Sequence, residues 1–175
     1  MKVRDMEPAD RAGVLAIDTS FETSSIYDVV VTPLRVDLVL RLLAKPRTKI
    51  YPIADVFARW ARWDVGFVAQ DEVAGAIVGF AAIEYEQWHS RLVLWHLYVV
   101  PERRREGIAG ALLERVEAYG KKLGANRVWL ETSNINVPGI EAYSRLGYSL
   151  CGLDTTLYDG LPYADEVAIY LAKQL

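Results

Sequence analysis

Apolar residues recur at helical spacing in the stretch that begins at residue 108. They are separated by four, four, three and four positions, at Ile108, Leu112, Val116, Tyr119 and Leu123. Steps of three and four place side chains on one face of an α-helix, and polar residues such as Glu117 and Lys121 occupy the other faces. The pattern therefore predicts a long amphipathic helix.

Strands are predicted where apolar and β-branched residues run together before this helix. The predicted strands cover residues 2–6, 26–31, 36–44, 65–70, 74–86 and 92–100. Residues 36–44 also fit a helix, and we assign them to a strand. Asp71 and Glu72 separate two of the runs, so residues 65–86 are expected to form a hairpin. The structure of the wider segment 19–62 is left open.

Two further helices are predicted from the residues at their boundaries. Pro8 suits the first turn of a helix over residues 8–18. Asn136 is suited to cap a helix over residues 138–146, and Gly147 is suited to end it.

The remaining apolar runs predict strands at 127–132, 148–158 and 167–172. Strands and helices thus mix along the chain without an internal repeat. The fold class that follows is α+β, with a mixed, mostly antiparallel central sheet of about seven strands flanked by helices. We expect a single domain over residues 1–175.

Composition and charge narrow the classes of protein to consider. The chain has 175 residues, of which 52% are hydrophobic and 25% are charged, as in globular rather than disordered proteins. Its net charge of −3 argues against a nucleic-acid partner. One cysteine excludes an intrachain disulfide, and the scattered Cys151, His89 and His96 do not suggest a metal site.

Apolar runs in this sequence are too short for a membrane span. The longest runs from Val73 to Ile83, about half of what a spanning helix needs. The first ten residues lack the apolar core of a signal peptide. We therefore expect a cytoplasmic protein without a membrane partner.

The loop before the long helix has the composition of an anion site. Arg104, Arg105, Gly107 and Ala109 form the pattern R-R-x-G-x-A. The first amides of a helix lack intrahelical acceptors, and small residues let an anion approach them closely. Arginine adds charge and forked donors for phosphate. The pattern fits a pyrophosphate site and also a plain, solvated basic loop.

Two motifs together resemble the GNAT family of acetyl-CoA-dependent N-acetyltransferases. V-x-P-x-x-R-R-x-G-I-A, from Val99 to Ala109, resembles motif A of that family, although the family often has a basic residue at the position of Glu106. Residues 136–148 resemble motif B, N-x-x-A-I-x-x-Y-x-x-x-G-F, with Gly139 at the usual alanine. The resemblance covers roughly residues 64–170.

The resemblance implies acetyl-CoA as co-substrate and no metal. It also implies that strands 92–100 and 127–133 splay apart, so that pantetheine inserts between them. The residues implied to bind the cofactor are Tyr98, Val99, Val100, Arg104, Arg105, Glu106, Gly107, Ile108, Ala109, Gly110, Thr132, Asn136 and Tyr143.

Several segments are similar to the streptothricin acetyltransferase branch of the family. They are Leu130-Glu131-Thr132, the G-x-D-x-x-x-Y segment from Gly152 to Tyr158, and the final E-x-A-I-Y strand from Glu166 to Tyr170. Members of that branch acetylate an amine. The implied reaction is direct attack of a primary amine of a small cationic acceptor on acetyl-CoA.

Catalysis by this route needs an acid and a base. Tyr143 is the predicted acid, since a phenol stays protonated at neutral pH and can donate to the leaving thiolate. Glu84, His96 or water is the predicted base. The amide of Tyr98 or Val99 would polarise the thioester carbonyl. Each of these side chains also has an ordinary structural interpretation as a packed aromatic, a surface carboxylate or a core histidine.

Acidic and aromatic residues are predicted to contact the acceptor. These candidates are Glu84, Trp88, Glu131, Asp154 and Tyr158. An N-terminal or lysine acetyltransferase of proteins, or a regulatory module that binds coenzyme A without turnover, is the alternative function. A homodimer is left open.

Overall fold

The computed structural model describes residues 1–175. The chain forms two compact units, one of residues 1–20, 50–129 and 174–175, the other of residues 21–49 and 130–173. The prediction of a single domain stays a prediction.

Nine strands and three α-helices make up the fold. The strands are β1 Lys2–Asp5, β2 Phe21–Thr32, β3 Arg35–Lys49, β4 Val65–Gln70, β5 Ile77–Glu86, β6 Arg91–Val99, β7 Arg127–Ser133, β8 Ser149–Asp154 and β9 Ala168–Gln174. The helices are α1 Arg11–Leu15, α2 Ile108–Leu123 and α3 Val137–Arg145. Short 3₁₀ turns cover Pro8–Asp10, Ile53–Phe57, Gln87–His89 and Pro101–Arg103.

Seven of the strands form one sheet in the order β1-β4-β5-β6-β7-β9-β8. The pairs β1–β4, β4–β5, β5–β6 and β8–β9 are antiparallel. The predicted fold class is therefore confirmed. Strands β2 and β3 form a separate antiparallel pair, which was not predicted as a second sheet.

The first unit packs α1 and α2 on its strands. Val14 and Phe80 are fully buried in one cluster with Val68. Ile108, Leu112 and Val116 of the predicted stripe are also buried, whereas Leu123 is 41% exposed because it lies in the last turn of α2. The first helix is shorter than predicted, since the α-helical part ends at Leu15.

The second unit contains the long β2–β3 hairpin and the β8–β9 pair. The hairpin continues through Pro46 to Lys49, beyond the predicted end of the strand at residue 44. Strand β8 ends at Asp154, earlier than predicted, because the Asp154 carboxylate accepts hydrogen bonds from Thr156 N and Oγ1 at 2.7 and 2.8 Å and so stabilises a turn.

None of the helices combines the length and the apolar composition that crossing a membrane would require.

Candidate active site

The loop between β6 and α2 presents backbone amides at the start of a helix. Gly107, the residue before α2, has φ 82°, and no side chain caps the helix. The first bond of the helix runs from Ala111 N to Gly107 O at 3.0 Å. The amides of Ile108, Ala109 and Gly110 therefore point beyond the first turn, towards an incoming anion.

Gly107 lies in open space at the start of this turn. A Cβ built on Gly107 would meet no atom within 4 Å. Glycine is needed there for its positive φ, and the free space lets a pyrophosphate approach the amides. Arg105, the other unusual position, has φ 69° and an exposed side chain. The turn at Gly107 therefore has the features that the sequence pattern predicts for an anion site, and its binding of a pyrophosphate stays a prediction.

Arg104 links the loop to the backbone of the first unit through two hydrogen bonds. Its Nε donates to Val99 O at 3.0 Å and its Nη2 to Asp18 O at 3.3 Å. Burial lowers the pKa of Arg104, but a guanidinium remains charged at neutral pH. Two of the Arg104 nitrogens therefore already donate to backbone carbonyls. Phosphate binding by the other N–H groups of Arg104 stays a prediction.

Glu106, the acidic departure from motif A, forms an ion pair with Arg103. Its carboxylate accepts from Arg103 Nε at 2.6 Å, and Arg103 Nη1 binds Asp71 Oδ2 at 2.6 Å. The amide of Ala74 and then Arg103 lower the pKa of Asp71 to about 2. Because Arg103 is shared between two carboxylates, it offsets only part of the negative charge of Glu106 beside the turn.

A β-bulge interrupts the pairing of β5 with β6. Ala82 pairs with His96 and Ile83 with Leu94, so Trp95 is the extra residue. Bulges often lie next to active sites, where they redirect a side chain. Trp95 Nε1 donates to Glu84 Oε2 at 2.9 Å, which occupies one oxygen of a predicted base.

His96, the other predicted base, is half-buried beside Tyr98. Its Nδ1 lies 3.2 Å from the Tyr98 hydroxyl. Burial lowers the pKa of His96 to about 4, against a small opposing effect of Asp55. The imidazole is therefore neutral at pH 7, and it binds a proton weakly. This makes His96 a poorer base than its ordinary pKa suggests.

In the second unit, Asn136 connects β7 to α3 as predicted. Its Oδ1 accepts from Gly139 N at 3.1 Å, which is the expected cap, and its Nδ2 donates to Thr132 Oγ1 at 2.9 Å. A Cβ on Gly139 would lie 2.4 Å from Asn136 Nδ2. Glycine in place of the usual alanine therefore leaves room for this cap.

Gly139→Ala is expected to displace the Asn136 side chain and to lower the free energy of unfolding by about 1 kcal/mol, the usual value of an N-cap. Thermal or urea unfolding measures this. In the double variant with Asn136→Ala the second change should cost less than it does alone, because the cap is already lost. Fully additive losses would contradict the explanation.

Tyr143, the predicted acid, lies on α3 and is half-buried. Its ring packs edge-on against Tyr148 with centroids 5.6 Å apart. The position thus combines packing with partial access to solvent, and its catalytic role stays a prediction.

Glu131 and Tyr158, both predicted to contact the acceptor, are joined by a hydrogen bond. The Tyr158 hydroxyl donates to Glu131 Oε1. The Glu131 side chain reaches solvent, yet enough protein surrounds it that desolvation raises its pKa, against the lowering effects of Tyr158 and Lys49. A carboxyl group whose pKa is raised towards neutral pH is better suited to accept and release a proton during catalysis.

Two predicted acceptor contacts have local partners. Trp88 is 83% exposed and stacks on His89 with ring centroids 3.8 Å apart. Asp154 forms the turn with Thr156 described above. Acceptor contact by these residues stays a prediction.

Comparison with known proteins decides the family. The profile of the Acetyltransferase (GNAT) family matches residues 36–148. The chain belongs to the GNAT acetyltransferase family. It is also 32% identical over 174 residues to streptothricin acetyltransferase of Streptomyces lavendulae, covering 97% of this chain and 92% of that protein.

Solved structures agree with this assignment. The crystal structure of nourseothricin acetyltransferase matches with TM-score 0.89 and 34% identity, over 99% of this chain and 97% of that one. A Bacillus anthracis str. Ames protein in complex with acetyl coenzyme A matches with TM-score 0.84 and 22% identity, over 99% and 98% of the two chains, and shows the shared fold. This GNAT protein is an N-acetyltransferase that uses acetyl-CoA.

The sequence analysis missed a cluster around Glu131 in the acetyltransferase. Lys49 and Tyr163 belong to it, and so does the buried Glu166. Lys49 and Glu166 are 117 positions apart, so no spacing pattern could connect them. In the sequence, Glu166 stood out only as the first residue of the final E-x-A-I-Y segment.

Proposed function

We propose that this acetyltransferase modifies a primary amine of a small cationic acceptor by direct attack of the amine on the thioester. The acceptor class is supported by the similarity to streptothricin acetyltransferase, which extends over nearly the whole of both chains. The names of these relatives make a streptothricin-like antibiotic the first acceptor to test, and resistance to it a role to test. Acetyl-CoA, when bound, supplies the acetyl thioester.

The amides at the start of α2 are proposed to bind the pyrophosphate. Gly107 provides the turn, and Ile108, Ala109 and Gly110 provide the donors. Their geometry costs no rearrangement on binding, since the helix already orients them.

The acceptor must lose a proton before it can attack. An alkylammonium has a pKa of about 10.4, so at neutral pH a base must assist. We propose Glu131 for this step, because burial raises the pKa of Glu131 and the Tyr158 hydroxyl orients its carboxylate. His96 is neutral with a pKa of about 4, and Glu84 is bonded to Trp95. Both remain candidates, but their environments suit the task less well.

The departing thiolate needs a proton donor, and we propose Tyr143. Tyr143→Phe keeps the ring that packs on Tyr148, so the melting temperature should change little. The interaction exists mainly in the transition state, so kcat should fall by roughly 100-fold while KM for acetyl-CoA changes less. Steady-state kinetics across pH measures this. Full kcat at every pH would assign the proton to water or to another group.

A thiol-release assay with an acceptor panel tests the proposed substrate class. Streptothricin and simple diamines are compared with peptides that carry a free N-terminus or a lysine. The proposal expects the highest kcat/KM for small cationic amines, with rates that rise with pH and fall with salt. Preference for peptides would support a protein acetyltransferase. Tight acetyl-CoA binding without turnover of any amine would support the regulatory module.

A further inference from the structure

A buried ion pair lies near Glu131 in the second unit, and the proposed reaction does not use it. The Lys49 ammonium binds the Glu166 carboxylate, and the two side chains are 12% and 3% exposed. Ser133 Oγ donates to the same oxygen of Glu166. Charges removed from water in this way are strongly held, because separating them would leave one charge buried without a partner.

Lys49 also contacts two tyrosine rings. Its Nζ lies 4.7 Å from the ring centroid of Tyr163 and 5.8 Å from that of Tyr158. The rings themselves pack edge to face, with centroids 5.3 Å apart. An ammonium at this range of a ring is attracted to its face. The ion pair therefore helps to hold the ring whose hydroxyl binds Glu131.

We propose that Lys49 and Glu166 are positioning residues for Glu131, and that their opposite charges set the pH range in which Glu131 accepts a proton. Contacts run from Glu166 to Lys49, from Lys49 to the Tyr158 ring, and from the Tyr158 hydroxyl to Glu131. This inference rests on the proposed role of Glu131 as the base.

The groups around Glu131 determine the direction in which each of them shifts its pKa. Desolvation raises the pKa of Glu131 most, and the Tyr158 hydrogen bond lowers it. Lys49 also lowers this pKa, whereas Glu166 raises it. Burial raises the pKa of Tyr170 on β9, and the nearby carboxylates of Asp154 and Glu131 add to this effect, so Tyr170 also faces this region. The outer pair Arg47–Asp165 is exposed and mutually neutral at 3.0 Å.

The test is the acidic limb of kcat/KM against pH, measured with a cationic acceptor that the enzyme turns over. Lys49→Met should move the limb to higher pH, and Glu166→Gln should move it to lower pH. Each shift should be roughly half a pH unit to one unit, as expected for unit charges at the effective dielectric of a protein surface. Ser133→Ala alters the same network without changing a charge, so it should leave the limb in place.

Opposite shifts separate this role from a structural one. Loss of structure would lower kcat in both variants without moving the limb in opposite directions. Lys49→Arg should restore most of the wild-type profile, because it keeps the charge. If Lys49→Met does not fold, the downward shift of Glu166→Gln still decides the question.

Shifts in the same direction, or no shift in either variant, would overturn the inference while leaving the base assignment intact. If Glu131→Gln itself keeps full activity at every pH, the proposed base is wrong and the positioning role falls with it. The two failures are therefore distinguishable.

Discussion

Gly107→Val is expected to weaken acetyl-CoA binding by about 100-fold or more. Valine is strained at the φ of 82° found there, and its branched side chain would enter the space in front of the amides of α2. Each lost hydrogen bond to a charged group costs about 1.5–3 kcal/mol, and about 1.4 kcal/mol changes affinity tenfold. Calorimetric titration with acetyl-CoA measures the loss directly.

Gly124→Val is the matched control for this prediction. Gly124 lies at the other end of the same helix, has φ 75°, and likewise has no atom within 4 Å of a built Cβ. The backbone strain is therefore comparable, but no anion site is involved. The control should lose stability and keep its affinity for acetyl-CoA. Equal affinity losses in the two variants would mean that the helix as a whole, and not its first turn, determines binding.

Glu131→Gln should lower kcat/KM by roughly 10²–10⁴-fold, the range over which general acid–base catalysis contributes. Glutamine keeps an oxygen that can accept from the Tyr158 hydroxyl, so the fold and acetyl-CoA affinity should be retained. What it loses is the ability to take a proton from the acceptor. Steady-state kinetics with the best acceptor of the panel measures the effect.

Glu84→Gln is the comparison, since Glu84 is the carboxylate that the sequence analysis placed as a base. It should reduce kcat/KM much less, because the proposal assigns proton removal to Glu131, and glutamine keeps an oxygen that can accept from Trp95. An amine supplied largely unprotonated at high pH should also restore part of the Glu131→Gln activity. The reverse order of the two variants would make Glu84 the base.

Local features of the site were predictable from the sequence. The apolar spacing from Ile108 predicts α2, and Gly107 predicts the turn before it, because both depend on residues that are neighbours in the chain. The same holds for the Asn136 cap of α3. A helix boundary and its first amides are consequences of short-range chemistry, so a candidate anion site can be predicted without knowing the rest of the fold.

Features that depend on pairing between distant segments were not predictable. The bulge at Trp95 exists only in the register between β5 and β6. Lysine at the end of a strand is usually exposed, and the burial of Lys49 follows from contacts with Glu166 and the Tyr163 ring, which are distant in the chain. The pKa of His96 likewise follows from burial in the tertiary fold, and not from its sequence neighbours.

We expect this chain to move an acetyl group from acetyl-CoA to an amine in one step. The direct measurement is a reaction of acetyl-labelled acetyl-CoA with streptothricin, followed by mass spectrometry of the acceptor, the free thiol and the protein. The account predicts label on an acceptor amine, an equal amount of released coenzyme A, and no label on the chain during turnover. Release of coenzyme A without acetylated amine, or label that passes through the protein, would contradict it.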